Sequence, residues 1–163
     1  MRAREILLVE DNPADVTLVR EALGKSQHLS QLTCSGDGEA AMAYLRECLK
    51  SPVRPDLIIL DLNLPKKDGR AVLAEVKSDP QLHRIPVVIF SSSQSESDIA
   101  GSYELGANCY VSKPVDLQRF FSAVREIVEF WYGCASIPQE NLLGRDKNDE
   151  ESHERTNHPR TAD

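Results

Sequence analysis

The stretch Asp56-Leu57-Ile58-Ile59-Leu60-Asp61 decides the fold. It is a short, continuous apolar run between charged residues, and Pro55 precedes it. Such a run is typical of a strand that is buried on both faces of a parallel sheet. Similar runs lie at 5–9, 86–90 and 108–111, and a weaker one lies at 31–34. The chain is therefore expected to contain five strands, of which the one at 56–60 is central.

Helical patterns separate these runs and follow the last of them. The strongest pattern begins after Asp116 and carries one apolar stripe, formed by Leu117, Phe120, Phe121, Val124, Ile127, Val128 and Trp131. Five strand–helix units in series predict an α/β fold, a doubly wound five-stranded parallel sheet with helices on both faces. Right-handed crossovers limit the possible topologies, and we expect the flavodoxin-like strand order 2-1-3-4-5.

Composition and charge define the domain organisation. The chain has 163 residues, of which 40% are hydrophobic and 28% are charged, and its net charge is −7. We expect one domain at 1–133, an extension at 134–143 and a disordered polar tail at 144–163, where apolar residues are almost absent. The acidic balance argues against binding to nucleic acid or to a membrane surface. The first apolar run is too short for a signal peptide, so a cytoplasmic protein is expected.

The cysteines do not indicate a metal site. None of the four belongs to a C-x-x-C pair, and their spacing suits neither zinc nor a disulfide framework. We expect Cys34, Cys48 and Cys109 to be small core residues and Cys134 to be an incidental thiol.

Polar residues follow four of the five predicted strands. Glu10 and Asp11 follow the first, Asp61 the third, Ser91 the fourth and Lys113 the fifth. Each signal is weak alone and could mark a helix cap or a solvated charge. However, the carboxyl ends of parallel strands meet at one edge of the sheet. Clustered carboxylates there would need a cation such as Mg²⁺, a strand-end aspartate can accept a phosphoryl group, and an ammonium and a hydroxyl can bind its oxygens.

Three stretches of the chain resemble the response-regulator receiver domains of two-component signalling. They are residues 6–12, residues 56–69 and residues 106–114, and the resemblance extends over about 5–132. It implies that Asp61 is the phosphoacceptor. It further implies that Asp11 and Asp61 bind Mg²⁺ directly, that Glu10 acts through water and that the carbonyl of Asn63 completes the protein ligands.

The resemblance also implies a switch. Ser91 would be the switch hydroxyl, Tyr110 the rotating aromatic residue and Lys113 the phosphate-binding lysine, with a cis peptide bond between Lys113 and Pro114. The chain departs from the family's commoner residues at two positions, with Glu10 in place of an aspartate and Ser91 in place of a threonine. Both departures keep the chemistry.

A finer resemblance is to the small single-domain regulators that are paired with phytochrome histidine kinases. The phrases at 10–15, 62–70 and 105–110 carry it, together with the aromatic end Phe130-Trp131-Tyr132. It implies a histidine kinase of the phytochrome class as partner and output through protein–protein contact. The protein would then be no enzyme beyond its own phosphorylation and dephosphorylation.

Three other functions fit the sequence less well. A haloacid-dehalogenase-type phosphatase needs an aspartate two residues after its nucleophile, where this chain has Asn63. A flavin carrier of the same fold would meet repulsion between its phosphate and the Glu10-Asp11 pair. A degenerate receiver that only binds partners would lack one or more of the key site residues, but this chain has all of them. A phosphorelay intermediate would have the same site and stays an open alternative.

The aromatic end of the last helix predicts a homodimer. Phe130, Trp131 and Tyr132 are expected to form an exposed apolar patch, and patches of this kind usually mark an interface. Residues 136–143 could then reach across the partner. In the alternative interpretation, Trp131 folds back on its own domain and the segment covers it.

Overall fold

Five parallel strands alternate with five α-helices along residues 2–138, the part of the chain that the computed structural model describes. The strands are β1 (Arg4–Val9), β2 (Ser30–Ser35), β3 (Leu57–Leu60), β4 (Val87–Ser91) and β5 (Cys109–Ser112). The helices are α1 (Pro13–Gly24), α2 (Gly38–Cys48), α3 (Gly69–Ser78), α4 (Glu96–Glu104) and α5 (Leu117–Val128), and a π-helix (Glu129–Cys134) continues α5. The strand order is β2-β1-β3-β4-β5. The predicted α/β fold and its strand order are confirmed.

The sheet separates two apolar clusters because successive side chains of a strand point to opposite faces. Ile58 and Leu60 pack with α2 and α3 on one face, and Leu57 and Ile59 pack with α1 and α5 on the other. All four side chains are buried, as the continuous apolar run predicts. Helix α4 contributes only Ser102 to the buried residues, so it is the least anchored of the five helices.

Each helix begins at a residue whose side chain accepts a hydrogen bond from a backbone N–H of the first turn. These N-caps are Asn12, Asp37, Asp68, Ser95 and Asp116. Such caps stabilise a helix by about 1 kcal/mol each. Because the caps lie at the same edge of the sheet as the carboxyl ends of the strands, the polar residues between strand and cap are brought together there.

The end of α5 differs from the sequence prediction. The chain was expected to continue one regular apolar stripe to Trp131, but it widens into the π-helix at Glu129. A π-helix changes the angular spacing of side chains. Trp131 packs against the cluster on the α1 and α5 face, as the stripe predicts, and Tyr132 packs there too, whereas 53% of Phe130 is exposed.

Two further expectations are wrong. Cys34 is exposed, because it lies on the edge strand β2, where the side chain of Arg20 approaches its sulfur to 3.5 Å. The described residues contain no cis peptide bond, so Lys113–Pro114 is trans, the isomer that is favoured in the absence of other constraints. Residues 139–143 of the expected extension and the expected tail at 144–163 lie outside the described residues. No helix between residues 2 and 138 combines the length and apolar character that a membrane span requires.

Candidate phosphoryl and metal site

Three carboxylates meet at the carboxyl edge of the two central strands. Val9 of β1 is paired with Leu60 of β3, so the residues that follow them are neighbours, and the Asp61 N–H donates to the Val9 carbonyl at 3.0 Å. Glu10, Asp11 and Asp61 each offer a carboxylate oxygen, and these oxygens lie within 4.8 Å of one another. Glu10 and Asp61 are buried and Asp11 is exposed, so the cluster is open to solvent on one side.

Lys113 reaches this cluster from the end of β5. Its Nζ lies 2.5 Å from Glu10 Oε2, 3.0 Å from Asp61 Oδ2 and 2.9 Å from Asp15 Oδ2. Only 8% of the lysine side chain is exposed. The ammonium therefore stands between three carboxylates and offsets part of their repulsion.

Asp15 is a site residue to which sequence reasoning gave no role. It lies in the first turn of α1, where an acidic residue is ordinarily explained by the helix dipole. Its only signal in the sequence is its place in the phrase at 10–15 that carries the family resemblance. Its contact with Lys113 depends on how α1 lies against the sheet.

The pKa values of Glu10 and Lys113 are both raised, but for different reasons. Burial raises the pKa of Glu10 to about 7, against the lowering effect of Lys113 and with a smaller raising effect of Asp61. Burial alone would lower the pKa of Lys113, but its hydrogen bonds to Glu10 and Asp15 and the charge of Asp61 outweigh burial, and the pKa is raised. Lys113 is consequently charged at neutral pH.

The loop after β3 holds the Asp61 carboxylate in place. Asp61 Oδ2 accepts from Lys113, and Oδ1 accepts from the Asn63 N–H at 3.4 Å. The Gly69 N–H donates to the Leu62 carbonyl at 2.9 Å, which closes the loop. A Cβ at Gly69 would lie 2.1 Å from the carbonyl oxygen of Asp61. Glycine is therefore required where α3 begins, because the chain approaches the Asp61 backbone too closely for any side chain.

The two expected switch residues are joined through Ser93. Ser91 is fully buried, and its Oγ accepts the Ser93 N–H at 3.2 Å. The Tyr110 hydroxyl donates to the Ser93 carbonyl at 2.8 Å, and its ring is half-buried against the α2 and α3 face. The sequence does not single out Ser93, since it is one of several serines after β4.

The carboxylate cluster fits a divalent cation. Mg²⁺ and Mn²⁺ take oxygen ligands, and they commonly bind through one or two carboxylates, waters and a phosphate. Glu10, Asp11 and Asp61 supply such oxygens from two adjacent strand ends, with a solvent-exposed side at Asp11. Asn63 lies in the same loop as Asp61 and is exposed.

The residues expected at a dimer interface are only partly exposed. The Trp131 ring stacks edge-on against Phe130, and Tyr132 lies beneath the guanidinium of Arg4. Further along, Ile137 and Pro138 line a cavity of about 500 Å³ at the opposite end of the domain from the carboxylates. The expected patch is thus narrower than predicted and centres on Phe130.

Comparison with known proteins agrees with this geometry. Residues 6–125 match the model of the response regulator receiver domain, so the chain belongs to that family. It is 51% identical over 136 residues to the response regulator Rcp1 of Synechocystis sp. strain PCC 6803, which covers 82% of this chain and 92% of Rcp1.

Two solved structures share both fold and sequence with the chain. The phosphorylated cyanobacterial phytochrome response regulator RcpA superimposes with a TM-score of 0.80 and 52% identity, covering 84% of this chain and 99% of RcpA. The Mn²⁺-bound form of Rcp1 superimposes with a TM-score of 0.78 and 49% identity, covering 83% of this chain and 99% of that structure.

Proposed function

We propose that this receiver accepts a phosphoryl group on Asp61 from a histidine kinase and signals through protein–protein contact. The observation that carries this proposal is the convergence of Glu10, Asp11, Asp61 and Lys113 at one edge of the sheet. Family membership supports it, because receivers are the phosphoryl-accepting components of two-component signalling. A histidine kinase phosphorylates itself with ATP, which is a cytoplasmic substrate, so we expect the transfer to take place in the cytoplasm.

The geometry suits an in-line transfer to Asp61. A carboxylate oxygen of Asp61 attacks phosphorus while the P–N bond to the donor histidine breaks, and the electron pair of that bond returns to the imidazole. Lys113 already lies 3.0 Å from Asp61 Oδ2, so its charge is in place for the incoming oxygens. Ser91 accepts a hydrogen bond from Ser93 and keeps its own proton to donate to a phosphoryl oxygen.

We propose Mg²⁺ as the cation, held by Asp11, Asp61 and the carbonyl of Asn63, with Glu10 acting through water. When bound, the ion neutralises charge on the transferring group and on the acids. The oxygens of Glu10, Asp11 and Asp61 within 4.8 Å of one another support this choice. In a nuclear magnetic resonance titration, Mg²⁺ should shift the amide signals of 10–11 and 61–63, and Asp11→Ala should weaken the apparent affinity at least tenfold. Equal affinity of the variant would contradict the ligand set.

Phosphorylation itself is tested with acetyl phosphate. The wild-type protein should gain one acid-labile phosphoryl group in Mg²⁺ and none in excess EDTA. Asp61→Asn should gain none, whereas Asp116→Asn should behave as wild type, because the Asp116 side chain is exposed and caps α5, a role that asparagine can keep. Equal labelling of Asp61→Asn and wild type would overturn the assignment of the phosphoacceptor.

We further infer that the donor is a histidine kinase of the phytochrome class. The similarity to RcpA and Rcp1 over more than four-fifths of the chain supports this partner. In a phosphotransfer assay, a phosphorylated phytochrome kinase should lose its label to this protein much faster than unrelated histidine kinases do. Equal rates with all kinases would leave the proposed partner without support.

A homodimer built on Phe130, Trp131 and Tyr132 remains our proposal for the assembled state. Phe130 supports it, since an aromatic ring with 53% of its surface in water is suited to an interface. Trp131 and Tyr132 would hold the interface segment against the domain, because both side chains pack on the domain core. Light scattering of the full chain at tens of micromolar distinguishes a dimer from a monomer of 18.2 kDa.

A further inference from the structure

Ser93 lies in the loop between β4 and α4 and connects β4, α4 and β5. Its N–H donates to Ser91 Oγ at 3.2 Å, and its carbonyl accepts from the Tyr110 hydroxyl at 2.8 Å. Its own hydroxyl donates to Asp98 Oδ2 at 2.6 Å. The backbone of one residue thus contacts both expected switch residues, while its side chain is bound to the first turn of α4.

Asp98 connects Ser93 to Arg70 at the start of α3. Its second oxygen, Oδ1, accepts from Arg70 Nη2 at 2.5 Å. Arg70 lies in the first turn of α3, directly after Gly69, whose backbone packs against the Asp61 carbonyl. A chain of contacts therefore runs from the phosphoacceptor loop through Arg70, Asp98 and Ser93 to the switch.

This arrangement is better suited to positioning than to stabilising the fold. The Arg70 and Asp98 side chains are 38% and 24% exposed, and ion pairs at such positions contribute little to stability. Charge-assisted hydrogen bonds do fix geometry, however, and Asp98 makes one with each of its two oxygens. The Ser93 hydroxyl first, and then Arg70, lower the pKa of Asp98, so the carboxylate is ionised at neutral pH.

We propose that Arg70 and Asp98 are positioning residues of the switch. The Arg70–Asp98–Ser93 clip holds the Ser93 backbone where its carbonyl meets Tyr110 and its N–H meets Ser91. This inference rests on the proposed function, because it concerns how phosphorylation of Asp61 is transmitted. Ser91 itself is held by the pairing of Ser91 with Ser112 between β4 and β5, so the clip governs the response of the loop and not the transfer of the phosphoryl group.

The clip is tested first by amide hydrogen exchange in the unphosphorylated full chain. Asp98→Ala should speed exchange of the Ser93 amide roughly tenfold, the size expected for one charge-assisted hydrogen bond. Arg70→Gln should give a smaller increase. In the background of Ser93→Ala, which removes the hydroxyl, Arg70→Gln should add nothing at residue 93, because the path to the backbone is already broken.

The matched control is Glu75→Gln. Glu75 of α3 pairs with Arg46 of α2 and with Lys67 of the loop before α3, so it is a surface carboxylate of the same kind that does not touch Ser93. It should leave exchange at residue 93 within about twofold of wild type. A merely structural role of the clip would raise exchange throughout the domain, including the buried amide of Val88. Such a uniform rise, or no change at residue 93 in both Asp98→Ala and Arg70→Gln, would overturn the proposal.

A second measurement separates this inference from the function on which it rests. With acetyl phosphate, Asp98→Ala should be phosphorylated within about twofold of the wild-type rate. In the wild type, the nuclear magnetic resonance signals of the Tyr110 ring should shift from one position to another on phosphorylation. In Asp98→Ala, these two distinct positions should no longer be seen. Loss of phosphorylation in the wild type as well would refute the proposed function and leave the exchange result standing. If the Tyr110 signals of Asp98→Ala shift on phosphorylation as they do in the wild type, the positioning role of Arg70 and Asp98 is refuted and the proposed function still stands.

Discussion

The loop from Asp61 to Gly69 should be unusually intolerant of one methyl group at Gly69. A Cβ built there lies 2.1 Å from the Asp61 carbonyl oxygen, 2.7 Å from Leu62 Cα and 2.9 Å from the Leu62 carbonyl oxygen. All three are backbone atoms, so no side chain can rotate away. Relief requires a movement of the loop of about 1 Å, since non-bonded carbon and oxygen atoms rarely approach closer than about 3.2 Å.

Gly101 offers the matched control. It lies inside α4, and a Cβ there meets nothing within 4 Å. Gly101→Ala should therefore stabilise the protein by about 1 kcal/mol, the difference in helix propensity. Gly69→Ala should destabilise it by about 3 kcal/mol, the upper part of the range for overpacking, because the clash is with fixed backbone. Identical chemical changes should thus differ by about 4 kcal/mol in the free energy of unfolding.

Urea unfolding followed by circular dichroism measures both values, and thermal unfolding should shift by roughly 4 °C per kcal/mol for a domain of this size. The same proteins should then be tested with acetyl phosphate. A displacement of about 1 Å at Asp61 can reduce the phosphorylation rate of Gly69→Ala about 100-fold, whereas Gly101→Ala should keep the wild-type rate. The reasoning fails if Gly69→Ala is as stable and as readily phosphorylated as the wild type.

Three further outcomes are expected. Asp15→Asn should lower the free energy of unfolding by about 1 kcal/mol, because Lys113 loses a charged partner at 2.9 Å, and unchanged stability in urea would show that the contact contributes nothing. Beryllofluoride should increase the protection of residues 95–106 from hydrogen exchange, since α4 buries only Ser102, and unchanged protection would refute a switch in this helix. Phe130→Ala should shift the protein towards monomer in light scattering more than Trp131→Ala does, because Phe130 is the more exposed ring; a wild-type monomer would refute the dimer.

The sequence by itself determined the five strands, the start of the last helix and the chemical types at the site. The run at 57–60 is apolar at every position because both faces of β3 are covered, and such a run can be recognised without knowing what covers it. The caps at Asn12, Asp37 and Asp116 satisfy backbone groups within a few residues, so they are local signals as well. Once the strand order is known, the residues after each strand must converge at one edge, and Glu10, Asp11, Asp61 and Lys113 do so.

Only the tertiary structure decided which partners meet across elements. Asp15 reaches Lys113 across 98 positions of sequence, and Arg70 reaches Asp98 across 28. Nothing local distinguishes these residues from solvated charges, because the contacts depend on the rotation and tilt of whole helices. The π-helix at Glu129–Cys134 was likewise not predicted from the sequence, and Tyr132 packs there on the core together with Trp131. Sequence periodicity indicates which face of an element is apolar, whereas packing between elements selects the individual side chains that touch.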